Sequence, residues 1–230
     1  MHGRHERGVA GAPRAVLLDA YETLIAVTER IAPYSELIAA AGLTGEAARA
    51  AARWLQTHEV ATLPEAAASL AGQLGGRPIE PAVVARLEAV LARHLASFVL
   101  ADGAAACIAA LRERGFAVAL VSNVSTPYKE PIRRLGIPAL VDTLVLSCEV
   151  GVAKPDAGIF HLALERLGVA PEAAVMVGDS PGDDVAGARA AGLHAIHLDP
   201  AGAPRHAATI TGLAQLPDRA AALLPVASRS

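Results

Sequence analysis

LLDAYETLI, residues 17–25, closes an apolar run on a single carboxylate, Asp19, and places Tyr21 two residues later. The run AVLL (15–18) reads as a strand buried on both faces, because it is aliphatic throughout rather than alternating. Four comparable runs follow: FAVALVS (116–122), TLVLS (143–147), AVMVG (174–178) and AIHL (195–198). Helical patterns lie between them, GAAACIAALRERG, YKEPIRRLG, GIFHLALERLG and DDVAGARAAG, closing on glycines suited to a helix C-terminus. Strand alternating with helix predicts an α/β fold, a Rossmann-like, doubly wound parallel sheet. The segment ATITGLAQLPDRAAALL adds a last strand and helix, and PVASRS reads as a loose tail.

One stretch breaks the alternation. From 28 to 99 the periodicity is helical throughout, which predicts an inserted all-helical cap domain between two parts of a core, 1–27 and 100–230.

The bulk composition narrows the function. At 230 residues and 53% hydrophobic side chains the chain can bury a sizeable core. Its 20 basic and 23 acidic residues are dispersed, so there is no basic stripe for nucleic acid or an anionic membrane, and a small-molecule substrate is the expected partner. Cys107 and Cys148 form no CxxC pair and read as buried apolar residues. The N-terminal MHGRHERGVAGAP has no apolar signal region, and no run is long enough to span a bilayer, so a soluble cytoplasmic protein is expected. The eight histidines lack HExxH spacing, and neither GxxxxGK[ST] nor a strand-linked GxGxxG occurs. Oligomeric state has no sequence signature here.

In an open parallel sheet, ligands bind beyond the carboxyl ends of the strands. Asp19 follows the first run, Ser122 and Asn123 end the second, and Asp179 follows the fourth. Lys154 lies beyond the third, past CEVGVA. If these meet, Asp19, Asp179 and Asp184 bring three carboxylates together, and a like pair at about 4 Å repels by about 4 kcal/mol at an effective dielectric of 20. Lys154, one of only two lysines among the 20 basic residues, supplies one compensating charge. A hard, oxygen-liganded dication, Mg2+, would supply the rest. In GDSPGDDVAGARAAG, Ser180 suits an N-cap, Pro181 the first position, and Asp183 the reciprocal half of a capping box, leaving Asp179 and Asp184 for the cation. Ser122, Asn123 and the turn after them offer donors to an anion.

Taken in order, LLDAYETL, VSN, KPDAGIF and VGDSPGDDVAGARAAG resemble the four motifs of the haloacid dehalogenase superfamily, over most of residues 14–198. The resemblance implies a Rossmann-like core with an aspartate nucleophile, Mg2+ and a covalent aspartyl intermediate. Asp19 then corresponds to the nucleophile and a metal ligand, and the carbonyl of Tyr21 to a second ligand. Ser122 would hold the transferring phosphoryl group, Lys154 would orient Asp19, and Asp179 with Asp184 would complete the metal site.

Tyr21 departs from the family's phosphatases, which carry a second aspartate there as general acid. Such a loss costs about 10² to 10⁴ in rate for a poor leaving group. The first motif thus resembles the 2-haloacid dehalogenases, whose halide needs no proton, while the retained GDSPGDD resembles the metal-dependent phosphatases. The fourth motif favours a phosphohydrolase of a small phosphorylated metabolite. The alternatives are a dehalogenase-like hydrolase and a catalytically weak ligand-binding protein. Glu22 stands where glycine is usual, and strand alternation would point it away from Tyr21. Arg30, Tyr34, Arg53 and Trp54 could reach a ligand from the helical block. Each also reads as a surface or packing residue, and they stay outside the predicted site.

Overall fold

A computed structural model describes residues 13–202 and 208–225. The N-terminal stretch 1–12 and the tail 226–230 lie outside the described residues, so the readings made on them stand as expectations.

The chain opens with β1 (Arg14–Leu18) and a two-residue β2 (Ile25–Ala26). Four helices follow, α1 (Pro33–Ala40), α2 (Gly45–Thr57), α3 (Leu63–Gly72) and α4 (Pro81–Ser97). Next come β3 (Val99–Leu100), α5 (Ala104–Glu113), β4 (Phe116–Ser122), α6 (Lys129–Arg134) and β5 (Thr143–Leu146). A single-turn α7 (Ser147–Val150) and α8 (Ala157–Leu167) lead to β6 (Ala174–Gly178). After a π-helical turn over Pro181–Ala186, α9 (Gly187–Ala190), β7 (His194–Leu198), β8 (Thr209–Ile210) and α10 (Leu216–Leu223) finish the fold.

Six strands form one parallel sheet in the order β5-β4-β1-β6-β7-β8. The chain works outward from β1 through β4 to β5, then crosses back to β6 on the other side of β1. That reversal opens a crevice at the carboxyl end of β1, between β4 and β6. The register sets Leu18 level with Leu120 and Val177, so Asp19, Ser122 and Asp179 emerge at the same edge.

The aliphatic runs are explained by burial on both faces. Val16, Leu18, Val118, Leu120, Val175 and Val177 face α5 and α10. Leu17, Val121 and Met176 face α8 and α9, against Ile159, Phe160 and Ala188. Cys107 and Cys148 are buried free thiols, as their reading as apolar residues requires.

The helices between 33 and 97 have an apolar cluster of their own, built on Leu37, Leu55, Leu63, Leu70, Leu87 and Leu91. The helical block hangs from a two-stranded antiparallel stem, in which Ile25 pairs with Leu100 and Ala26 with Val99. The helical periodicity predicted as far as 99 stops short of it: α4 ends at Ser97 and the chain turns extended to pair with β2. A two-residue strand has no period to detect, and Val99 is exposed. Among the described residues, no helix is long and apolar enough to cross a membrane.

Candidate active site

Lys154 is the hub of the crevice. Lys154 is 2% exposed and all three protons of its ammonium are placed. They go to Asp19 Oδ1 at 2.6 Å, Asp184 Oδ1 at 2.6 Å and the carbonyl of Val121 at 2.9 Å. Burial works against the charged lysine, but Asp19 and Asp184 outweigh it and hold the pKa above its usual value.

Asp19 follows β1 and its N–H donates to Val177 of β6. Ser122, the last residue of β4, donates from Oγ to Asp19 Oδ1 at 3.1 Å. Both side-chain donors therefore address Oδ1, and among the described residues Oδ2 is the oxygen with no side-chain donor. Burial, reinforced by the charge of Asp184, raises the Asp19 pKa despite Lys154.

Asp184 is held at its other oxygen by the N–H of Ser180, at 3.0 Å. The capping expectation is half met here. Ser180 Oγ does accept from the N–H of Asp183, at 3.2 Å. The reciprocal carboxylate, however, is that of Asp184 and not Asp183. The reason is the wider π turn, in which the Ser180 carbonyl accepts from both Asp184 and Val185 and the carboxylate four residues on swings back over the cap. Gly178 makes this seat possible: a Cβ there would lie 2.1 Å from Asp184 Oδ2.

Asp179 is half-buried beside them. Burial, then the charges of Asp19 and Asp184, push its pKa up to about 6. Oxygens of Asp19, Asp179 and Asp184 all lie within 4.8 Å of one another. Three carboxylates against one lysine leave an excess of negative charge, and the donor set is all hard oxygen. Both properties fit Mg2+.

Two residues hold the lysine loop from outside. Asn123 pairs both ways with the backbone of Lys154, Nδ2 to its carbonyl at 2.9 Å and Oδ1 from its N–H at 2.8 Å. Arg53, reaching down from α2, donates to the carbonyls of Lys154 and Ala153. Arg53 lies outside the sequence-predicted site. A contact across 100 residues leaves no local pattern, and one arginine among many gives no signal. Trp54, by contrast, stacks on His58 with ring centroids 4.2 Å apart.

Tyr21 turns its side chain away from acid chemistry. Its hydroxyl donates to the carbonyl of Tyr128 at 2.5 Å, and its ring packs edge-on against Phe98 and Tyr128. Burial lifts its pKa well above the tyrosine range. Glu22 adopts φ 60°, the left-handed region, which explains why a glycine would be at ease there. That backbone breaks the strand alternation, so Glu22 lines the same cavity as Tyr21 instead of pointing away, and it pairs with Arg30 at 3.4 Å.

That cavity, of about 480 Å3, opens between the helical block and the sheet edge, bounded on the core side by Tyr21 and Asn123. Its size is that of a small-molecule site.

Comparison with known proteins bears on this geometry. A family model described as haloacid dehalogenase-like hydrolase matches residues 13–192. A phosphoserine phosphatase of Thermus thermophilus is 44% identical over 97 residues, covering 42% of this chain and 39% of the relative. A glyceraldehyde 3-phosphate phosphatase of Methanothermobacter thermautotrophicus is 41% identical over 87 residues, 37% of this chain and 38% of the relative. The chain thus spans about two fifths of the length of these curated relatives. Among solved structures, a 2-haloacid dehalogenase from Pseudomonas syringae pv. Tomato DC3000 superposes with TM-score 0.62 at 24% identity, covering 91% of this chain and 99% of that one. At that identity the likeness speaks for the fold.

Proposed function

The chain belongs to the family of haloacid dehalogenase-like hydrolases, and we propose that it is a Mg2+-dependent phosphohydrolase of a small phosphorylated metabolite, working through an aspartyl-phosphate on Asp19. The observation that carries this reading is the Lys154 ammonium shared between Asp19 and Asp184, with Asp179 completing a carboxylate cluster. A halide displacement has no use for that cluster, whereas a dianionic phosphate must be screened before a carboxylate can approach it. Phosphatase-named relatives support the same side.

Asp19, Asp179, Asp184 and the carbonyl of Tyr21 would hold the cation, with residues 28–99 as the cap over it. When bound, Mg2+ supplies the positive charge that screens phosphate and carboxylates from each other. Lys154 and Ser122 fix Oδ1 of Asp19, so Oδ2 is the attacking oxygen. It forms a bond to phosphorus as the bond to the leaving oxygen breaks, and the electron pair departs with that oxygen. Water then opens the aspartyl-phosphate, giving inorganic phosphate and restoring the carboxylate. Ser122 and Asn123 border the transferring group, Asn123 chiefly by holding the lysine loop in register.

The dehalogenase reading draws on Tyr21, which leaves the site without the usual acid. A screen of p-nitrophenyl phosphate, acyl phosphates, alkyl phosphomonoesters and 2-chloropropionate, with and without chelator, separates the two. Mg2+-dependent phosphate release is expected; halide release insensitive to chelator would replace this function with the other. Tight ligand binding with no release from any substrate would favour the catalytically weak protein. Asp19→Asn should abolish turnover, and turnover surviving in that variant would remove Asp19 as nucleophile.

A further inference from the structure

This chain is poor in aromatic residues, 3% of the total, yet all three of its tyrosines and one of its three phenylalanines line the cavity that Tyr21 and Asn123 bound on the core side. Tyr21, Tyr34, Phe98 and Tyr128 form the walls, and their mutual contacts are those of a connected aromatic box. Tyr21 meets Phe98 at 4.9 Å and Tyr128 at 5.7 Å, and Tyr34 meets Tyr128 at 6.1 Å between centroids. Such a box suits a flat, unsaturated group.

Two polar atoms within its wall have no partner among the described residues. Tyr34 Oη and His94 Nε2 are buried and unbonded, and both residues line the cavity. His94 itself is 6% exposed, and its other nitrogen is spoken for by Tyr128 Oη at 3.3 Å. Buried donors and acceptors are almost always paired, so an unpaired couple at a cavity wall points to a ligand that pairs them. A third observation is independent of these: the Tyr21 hydroxyl is committed to the Tyr128 carbonyl, and Glu22 is engaged by Arg30. The Tyr21 hydroxyl thus has its proton engaged away from the site.

Resting on the phosphohydrolase reading and narrowing it, we propose that the substrate is an aryl phosphate monoester. Its aromatic leaving group stacks in the box and carries a hydrogen-bonding ring substituent that meets Tyr34 Oη and His94 Nε2. The chemistry balances without a general acid. Asp19 Oδ2 takes the phosphoryl group, the phosphorus–aryl-oxygen bond breaks, and the pair leaves on an oxygen whose charge the ring delocalises. The aryloxide is protonated afterwards by solvent. An alkoxide has no such outlet.

The experiment compares Mg2+-dependent phosphate release from four esters: benzyl, 4-methylphenyl, 3-hydroxyphenyl and 4-hydroxyphenyl phosphate. Benzyl phosphate keeps the ring but must expel an alkoxide, so its kcat/KM should fall about 10²-fold or more below the aryl esters. The better hydroxyphenyl ester should exceed 4-methylphenyl phosphate by up to about 10-fold, the worth of one hydrogen bond. Tyr34→Phe and His94→Leu should each lower kcat/KM for the hydroxyphenyl ester more than for 4-methylphenyl phosphate, so that the ratio between the two falls toward one. A protein destabilised by His94→Leu would lose both substrates alike, which is why Tyr34→Phe, removing a single oxygen, is the deciding variant. Phosphate release that treats benzyl and aryl esters equally, or a hydroxyl advantage untouched by Tyr34→Phe, overturns the substrate assignment and leaves the phosphohydrolase standing. Absence of phosphate release from every ester, with chelator-insensitive halide release from 2-chloropropionate, overturns both.

Discussion

Replacing Lys154 with methionine, of similar length and no charge, removes the cation that the described residues set among the three carboxylates. Its three hydrogen bonds go with it. Asp19 and Asp184 would then face each other within 4.8 Å, a repulsion of about 3 kcal/mol or more at an effective dielectric of 20. Removing one partner of a buried ionic cluster typically costs about 3–5 kcal/mol. For a chain of this size that is a loss of about 6–20 °C in Tm at pH 8 with chelator present. The pH dependence carries the argument. Asp19 and Asp179 have folded-state pKa values raised above the usual 3.8, Asp179 to about 6, so the folded state binds protons that the unfolded state has released. Stability is therefore lost as pH rises through the folded values, and the loss is complete above them. Lys154 titrates far above this window and flattens nothing within it. Without the lysine the carboxylates hold their protons more strongly still, so the variant's deficit should be large at pH 8 and much smaller at pH 5. Added Mg2+ should raise Tm at pH 8 in the variant as well as in the wild type, because the cation stands in for the missing charge. Thermal unfolding followed by circular dichroism, at both pH values and with chelator or Mg2+, reads all of this. A deficit equal at pH 5 and pH 8, or a Tm indifferent to Mg2+, would refute the electrostatic account of the site.

Three further outcomes follow from the same geometry. Tyr21→Asp places a carboxyl group where an acid would act, and should raise kcat/KM for alkyl phosphates by about 10²-fold or more relative to aryl phosphates; an unchanged ratio would mean that Tyr21 is not what withholds the proton. Arg53→Met removes two donors from the carbonyls of Ala153 and Lys154, and should lower kcat more than it raises KM, at a stability cost of about 1.5–3 kcal/mol; a change in KM alone would argue for direct substrate binding instead. Glu22→Gly should relieve a left-handed backbone worth about 1–2 kcal/mol, offset by about 0.5–1 kcal/mol of added chain entropy, so Tm should rise by a degree or more; a fall would show that the Arg30 pairing outweighs the strain.

The sheet was legible because β1, β4 and β6 are built on unbroken apolar runs, and the polar residues that close them needed only the parallel arrangement to fall at one edge. What could not be read depended on angles or on distant partners. The stem of β2 and β3 is too short to carry a period. Asp184 took the capping carboxylate from Asp183 because the turn is a residue wider than an α-helical one, a difference no side chain there announces. The amide of Asn123 reads as a substrate donor in sequence, yet its side chain is engaged with a backbone 31 residues away. Strand alternation misplaces Glu22, because its positive φ breaks the extended backbone on which alternation depends. The aromatic box draws Tyr21, Tyr34, Phe98 and Tyr128 from separate segments, none of which hints at the others.

The space denied to a side chain at Gly178 binds two positions into one heritable unit. Even a methyl group at 178 would overlap the carboxylate of residue 184, which Lys154 and Ser180 prevent from stepping aside. A lineage could leave glycine there only after shortening Asp184, and so only after surrendering a corner of the acidic cluster. Substitution at 178 alone should therefore be purged wherever the acid is still needed, and tolerated freely once it is gone.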